Sequence, residues 1–189
     1  MHFTGAIIQA RRTSTRFPDK VLQQLSGMSI LEHCVERAKS ARLVDKVVIA
    51  APHEIPIKLD VDYFYGSESN VLDRYYQCAD FYEFDVIVRL TADCPLVPPS
   101  EIDRVVHFFN SHHFDYAVSN TIDGWDVEVF DFDALEEAWL NATEPSDLEH
   151  VTPYLKRMNS YFLPPPKLSI DTPEDLERVK EFLNYELVR

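Results

Sequence analysis

The chain has 189 residues, a formal charge of −14, 46% hydrophobic and 12% aromatic residues. That fills one domain over 1–189, leaves no room for a second full one, and gives no extended basic surface for broad nucleic-acid binding. No apolar run approaches the roughly 20 residues that cross a bilayer, no secretory-leader pattern is expected, and three cysteines without metal-like spacing argue against a disulfide framework; the expectation is a cytoplasmic protein.

Phe3 to Ile8 reads as a buried strand. The chain then turns abruptly basic. Arg11, Arg12, Arg16 and Lys20 stand against a single acid, Asp19, so this loop carries +3 and the remainder −17. Hydroxyls at Thr13, Ser14 and Thr15 lie between the charges, a mixture that suits phosphate oxygens; a solvated charged loop is the alternative. Ser29 predicts an N-cap for a helix whose face is Ile30, Leu31, Cys34, Val35 and Ala38. Lys46 to Ala50 reads as a buried strand, and Val61 to Tyr65 as a weaker one ended by Gly66. Ser67 or Ser69 is expected to cap a helix through Val71, Leu72, Tyr75, Tyr76 and Ala79. Arg74 is expected to pair with an acid along that helix. Val86 to Leu90 is the clearest strand of the middle region.

Beyond the turn at Pro95 to Pro99, Ser100 and Asp103 have capping-box spacing for a helix through His112. Asp115 to Val118 reads as a strand, Asp123-Gly124 as a tight turn, and Val127 to Phe130 as the next strand. Asp133 to Leu140 is helical. Ser146 with Glu149 starts a further helix that Pro153 should bend or end. Pro164 to Pro166 is a stiff connector, Leu168 to Ile170 a strand, and Thr172-Pro173 with Asp175 a helix start. Strands separated by helices in this rhythm predict an α/β fold with a mostly parallel sheet covered on both faces.

In such folds ligands gather beyond the carboxyl ends of the strands. Three segments qualify: the basic loop, Thr91 to Pro95, and Asp171. Asp93 and Asp171 are each the first acid past an apolar strand, and two carboxylates with substrate phosphates are a usual way to hold Mg2+. Asp171 before Thr-Pro-Glu-Asp could equally serve only the helix N-terminus. Asp126 and Glu128 alternate along an expected strand and would share a face, for a polar substrate or for water. Ser146 to His150 is similarly open. Cys94 has no histidine partner nearby in sequence and reads as a bystander, and His112-His113 as a solvated helix end. The chain lacks Gly-x-Gly-x-x-Gly after its first strand and lacks a Walker-type loop. With four glycines in all, side chains rather than backbone must cradle any phosphate.

Six stretches, in order, carry a family resemblance: Ile7 to Arg11 with Ser14 to Pro18 and Lys20; Gly66-Ser67 with Val71 to Tyr75; Val88 to Leu96; Asp126 to Phe130; Glu149 to Tyr154; and Ile170 to Leu176. Together they resemble the sugar-acid cytidylyltransferases, which include the 3-deoxy-manno-octulosonate, acylneuraminate and spore-coat polysaccharide branches. The resemblance covers nearly the whole chain. It implies a three-layer nucleotidyltransferase fold of the glycosyltransferase-A, Rossmann-like type. It implies a Mg2+-dependent reaction of CTP with a sugar acid, in polysaccharide biosynthesis. The acidic composition and the lack of a long apolar run argue against a nucleic-acid or membrane partner, and a homodimer is left open.

By the same match, Arg11, Arg16 and Lys20 contact the triphosphate as catalytic cations. Gln9, Ala10, Ser14, Ser67, Thr91 and Ala92 surround the nucleotide. Asp93, also counted as catalytic, and Asp171 hold the metal, and Asp126, Glu128, Glu149 and His150 face the acceptor. Three departures stand out. Thr13 and Asp19 occupy positions where this branch usually has glycine, and the segment between Tyr154 and Lys167 is short. Two alternatives stay in view: a nucleotidyl- or glycosyltransferase using another nucleotide, and a nucleotide-binding protein without turnover, the latter motivated by Asp19 and the short segment.

Overall fold

The computed structural model describes residues 2–13, 17–120, 122–166, 172–174, 176–177 and 179–180. In chain order the elements are β1 (Thr4–Gln9), a 3-10 turn (Lys20–Leu22), β2 (Gln24–Leu25), β3 (Met28–Ser29), α1 (Ile30–Lys39), β4 (Lys46–Ala51), β5 (Asp62–Tyr65) and α2 (Val71–Phe81). There follow β6 (Val86–Thr91), α3 (Pro99–Ser111), β7 (Tyr116–Ser119), β8 (Glu128–Asp131), α4 (Phe132–Asn141), α5 (Pro145–His150), α6 (Thr152–Leu155) and β9 (Ser160–Leu163). The expected strand over 168–170 lies outside the described residues, as does most of the helix expected after it.

Seven strands form one sheet in the order β5-β4-β1-β6-β8-β7-β9. β1 pairs in parallel with β4 and β6, β4 with β5, and β7 with β9; β8 runs antiparallel to both β6 and β7. The mostly parallel sheet is therefore as expected, with β8 reversed because one short loop returns the chain from β7.

Alternation along β1 explains the three layers. Ala6 and Ile8 face a core shared with Leu31 and Val35 of α1 and Ile102 and Val105 of α3. Ile7 faces the opposite core, with Leu72 and Tyr75 of α2, Leu135 of α4 and Leu155 of α6. Period-two side chains thus divide one strand between two apolar layers, and each fully buried isoleucine contributes about 1.5–3 kcal/mol. Gly5, in the same strand, leaves space for a ring: a Cβ there would come within 2.2 Å of the Phe84 side chain.

Local signals decided most helix starts. Ser29 accepts from the Glu32 N–H while the Glu32 carboxylate accepts from the Ser29 N–H, a reciprocal cap on α1. At α2 the cap is Asn70, not Ser67 or Ser69; its side chain accepts from the Asp73 N–H at 2.9 Å, and the Ser67 hydroxyl accepts from the Asn70 N–H. At α3 the expected box of Ser100 and Asp103 is replaced by Pro98 and Pro99, with proline in the first turn. The Asp103 carboxylate reaches across instead to the Arg42 and Leu43 N–H groups. α5 ends at Val151, whose φ is 68°, and Pro153 sits in the first turn of α6. The expected break is real: the positive φ of Val151 stops α5, and Pro153 is accommodated in the first turn of the next helix.

The 3-10 turn at Lys20–Leu22 and the strands β2, β3 and β9 were not anticipated. β2 and β3 form a small hairpin around Ser26 and Gly27, both at positive φ, as a two-residue hairpin turn requires. β9 is a short edge strand without clear alternation.

Candidate active site

The chain leaves β1 toward β4 and β5 on one side and returns to β6 on the other. A reversal of strand order opens a crevice beyond the carboxyl ends of the flanking strands. Gln9 and Thr91, the last residues of β1 and β6, are register partners, and the Ala92 N–H donates to the Gln9 carbonyl at 3.0 Å. Ala10 and Ala92 are buried, so Gln9, Ala10, Thr91 and Ala92 make one firm floor.

Lys20 and Asp93 meet above it. The Lys20 ammonium donates to Asp93 Oδ2 at 2.5 Å, with the lysine side chain 29% and the aspartate side chain 46% exposed. Partial burial works to raise the Asp93 carboxyl. Hydrogen bonds from Lys20 and Thr91, with the Lys20 charge, prevail and hold it below the usual carboxylate value. Cys94 lies beside it, its Sγ 3.3 Å from the Thr91 hydroxyl. Burial raises the Cys94 thiol and pushes that of Cys34 up to about 12, which keeps both neutral.

Arg11, Arg12 and Thr13 of the basic loop are exposed. The carboxylate of Asp19 turns onto Arg12, whose Nε donates at 2.7 Å. This bond and the attendant charge raise Arg12 and lower Asp19. Asp19 sits at φ 52° with its N–H on the Arg12 carbonyl, a left-handed backbone that glycine adopts freely and aspartate tolerates. Thr13 donates to Glu68, which also faces His53; the two contacts hold the Glu68 carboxyl low. Ser14 and Arg16 lie outside the described residues.

Ser67 stands in the turn before α2, its carbonyl accepting from Arg74 at 2.5 Å. Arg74 does not pair with an acid on its helix face. It is buried against this turn, its Nε has no partner among the described residues, and burial lowers its pKa. The packing of Gly66 accounts for this placement, since the Arg74 stem covers it.

On the α2 side of the sheet a second polar cluster is centred on Glu128. Its carboxylate accepts from Arg89, from the Tyr116 hydroxyl at 2.5 Å and from the Thr152 hydroxyl at 2.9 Å, with the Lys156 ammonium 3.2 Å away. Burial would raise this carboxyl; the charges of Arg89 and Lys156 and the two hydroxyls outweigh it and hold it low. Burial likewise opposes the Arg89 charge, and Glu128 more than offsets it. Arg89 also reaches Gln9 Oε1 at 3.3 Å, which ties this cluster to the nucleotide floor. Asp126 does not share the strand with Glu128: β8 begins at Glu128, and Asp126 is exposed in the loop before it. Glu149 and His150 are exposed at the end of α5. Sequence reasoning passed over Arg89, Tyr116, Thr152 and Lys156, although a charge within Val-Ile-Val-Arg-Leu was a visible signal.

For a divalent cation the donor chemistry fits. Asp93 offers a half-exposed carboxylate, the hard ligand that Mg2+ takes alongside substrate phosphates. Among the described residues no group of three metal-ligating side chains forms, and Asp171 lies outside them.

A family model described as cytidylyltransferase matches residues 5–187. The chain is 41% identical to the uncharacterized protein MJ1063 of Methanocaldococcus jannaschii over 200 residues, covering 95% of this chain and 82% of that one. It is 31% identical to the spore coat polysaccharide biosynthesis protein SpsF of Bacillus subtilis, over 92% of this chain and 83% of the relative. The solved structure of a cytidylyltransferase from Leptospira borgpetersenii serovar Hardjo-bovis superposes with a TM-score of 0.82 at 30% identity. That superposition covers 98% of this chain and 88% of the other.

Proposed function

This chain belongs to the cytidylyltransferase family, and from that premise we propose that it transfers CMP from CTP to a hydroxyl of a sugar acid or similar small acidic sugar. It is a CTP-dependent nucleotidyltransferase. The observation that carries the finer reading is the meeting of a basic loop with Asp93 at the carboxyl ends of β1 and β6. The six stretches shared with sugar-acid cytidylyltransferases support the acceptor class, and the name of the Bacillus relative supports a role in polysaccharide synthesis.

Arg11, Arg16 and Lys20 bind the triphosphate, while Gln9, Ala10, Ser14, Ser67, Thr91 and Ala92 enclose the base and ribose. The acceptor oxygen forms its bond to the α-phosphorus as the bond to the bridging oxygen of pyrophosphate breaks, and the hydroxyl proton leaves to a base. Negative charge grows on the departing pyrophosphate, where fixed cations of the loop stabilise it. Asp93 and Asp171 would hold Mg2+, which when bound offsets charge on the reacting phosphate. Asp126, Glu128, Glu149 and His150 belong to the acceptor side, where Glu128 holds Arg89 and Lys156 as cations suited to an acid. Fixing two anions in register supplies much of the remaining rate. The chain acts as one domain in the cytoplasm; among the described residues no helix is long and apolar enough to cross a membrane.

The test is pyrophosphate release from CTP, UTP, ATP and GTP, with and without Mg2+, against a panel of sugar acids. Release that needs CTP, Mg2+ and a sugar acid, and that Asp93→Ala abolishes in a folded protein, is expected. Turnover retained in Asp93→Ala, or a preference for another nucleotide, would overturn the reading.

A further inference from the structure

Lys20 and Asp93 are each held by backbone that leaves their meeting little freedom. Lys20 opens a turn closed by the Leu22 N–H on the Asp19 carbonyl and the Gln23 N–H on the Lys20 carbonyl. Asp93 follows the buried Ala92, and the Cys94 N–H closes the next turn onto the Thr91 carbonyl. The supports are firm and the charged heads are wet, with both side chains more than a quarter exposed. An ion pair of this kind is weak and exchanges partners readily. The two neighbouring acids of the basic region have other partners: Asp19 lies on Arg12, and Glu68 on Thr13 and His53.

We infer that Lys20 occupies the cation place on Asp93 until a triphosphate withdraws it, so that nucleotide binding itself opens the metal site. The inference rests on the proposed metal role of Asp93. An ammonium 2.5 Å from Asp93 Oδ2 and a divalent cation on the same carboxylate would be like charges within a few ångströms, and they repel. A triphosphate presents Lys20 with a denser anion than a lone carboxylate. Once Lys20 moves to it, Asp93 is free to share a cation with the same phosphates. By linkage, the cation then strengthens nucleotide binding by the factor through which the nucleotide strengthens cation binding. The free protein stays charge-compensated and carries little metal.

The experiment titrates Mn2+ alone, without nucleotide, and counts free Mn2+ by its electron paramagnetic resonance signal. Wild type is compared with Lys20→Met, Lys20→Arg, Asp93→Asn and the Lys20→Met/Asp93→Asn double variant, each checked for fold by circular dichroism. Lys20→Met should bind Mn2+ at least about tenfold more tightly than wild type, an increment in keeping with removing one adjacent charge. Lys20→Arg, which keeps the cation, should stay as weak as wild type, and the double variant should lose the gain. Equal Mn2+ affinity in wild type and Lys20→Met, with weaker binding in Asp93→Asn, overturns the inference and leaves the metal role of Asp93 standing. A gain that survives in the double variant overturns both.

Discussion

Arg89 and Glu128 stand directly opposite one another in the antiparallel register of β6 and β8, and their side chains close an ion pair from which water is nearly excluded. Two hydroxyls and the Lys156 ammonium complete the shell of the carboxylate. The pair joins the only reversed strand of the described sheet to β6, the strand that leads through Thr91 and Ala92 to Asp93.

Breaking one member of a buried pair leaves the other charge uncompensated, at a cost of about 3–5 kcal/mol. Glu128→Ala should therefore lower the melting temperature by roughly 6–20 °C for a chain of this size. Replacing both residues, as Arg89→Met/Glu128→Met, should recover much of that loss, because a paired apolar substitute carries no stranded charge. Calorimetry on the two variants decides it; a double variant no more stable than Glu128→Ala would mean the ion pair is not what the single substitution breaks.

Acid titration follows from the same carboxyl. Glu128 is held below its ordinary value in the folded protein, so its contribution is fully present above the unfolded value of about 4.3. It is lost as pH falls through the folded value, because the unfolded chain takes up the proton first. Melting temperature should thus fall from about pH 4.3 downward, and the Arg89→Met/Glu128→Met variant should show a shallower fall over that range. Parallel curves for the two proteins would exclude Glu128 as a source of the acid sensitivity.

Asp19→Gly relaxes a left-handed backbone position and removes the carboxylate that holds Arg12. The freed guanidinium becomes available to a polyanion, and affinity for CTP should rise about two- to tenfold at low salt, less at high salt. Isothermal titration with CTP measures it. Unchanged or weaker binding would show that Asp19 positions Arg12 for the nucleotide rather than withholding it.

Gly5→Ala drives a methyl group into the Phe84 ring. Overpacking of this order costs about 1–3 kcal/mol, which should appear as a melting temperature lower by roughly 2–12 °C. Gly5→Ala/Phe84→Leu should regain part of the loss if the ring is the obstacle; a single variant as stable as wild type would show that the ring moves aside freely.

Much of the scaffold was legible because its signals are local. Ser29 as an N-cap and Val86 to Leu90, a short run apolar except for Arg89, are signals only a few residues long; both led to the observed elements. Where a local rule admitted several answers, competition decided it. Asn70 took the cap offered to Ser67 and Ser69, and two prolines displaced the box of Ser100 and Asp103 at α3. The hairpin around Gly27 was missed because each of its strands is two residues long, too short for alternation to register.

By itself the sequence determined a mostly parallel α/β sheet, a basic loop where the first strand ends, an acid where the middle strand ends, and the family those motifs resemble. Periodicity and turn chemistry act within a few residues, so a chain read in order reveals them. Only the tertiary structure decided which charges meet: Lys20 with Asp93, Arg12 with Asp19, Arg89 with Glu128, and Arg74 with the carbonyl of Ser67 instead of an acid. An ion pair between residues 73 apart depends on strand order and register across the whole sheet, and no local pattern encodes that distance.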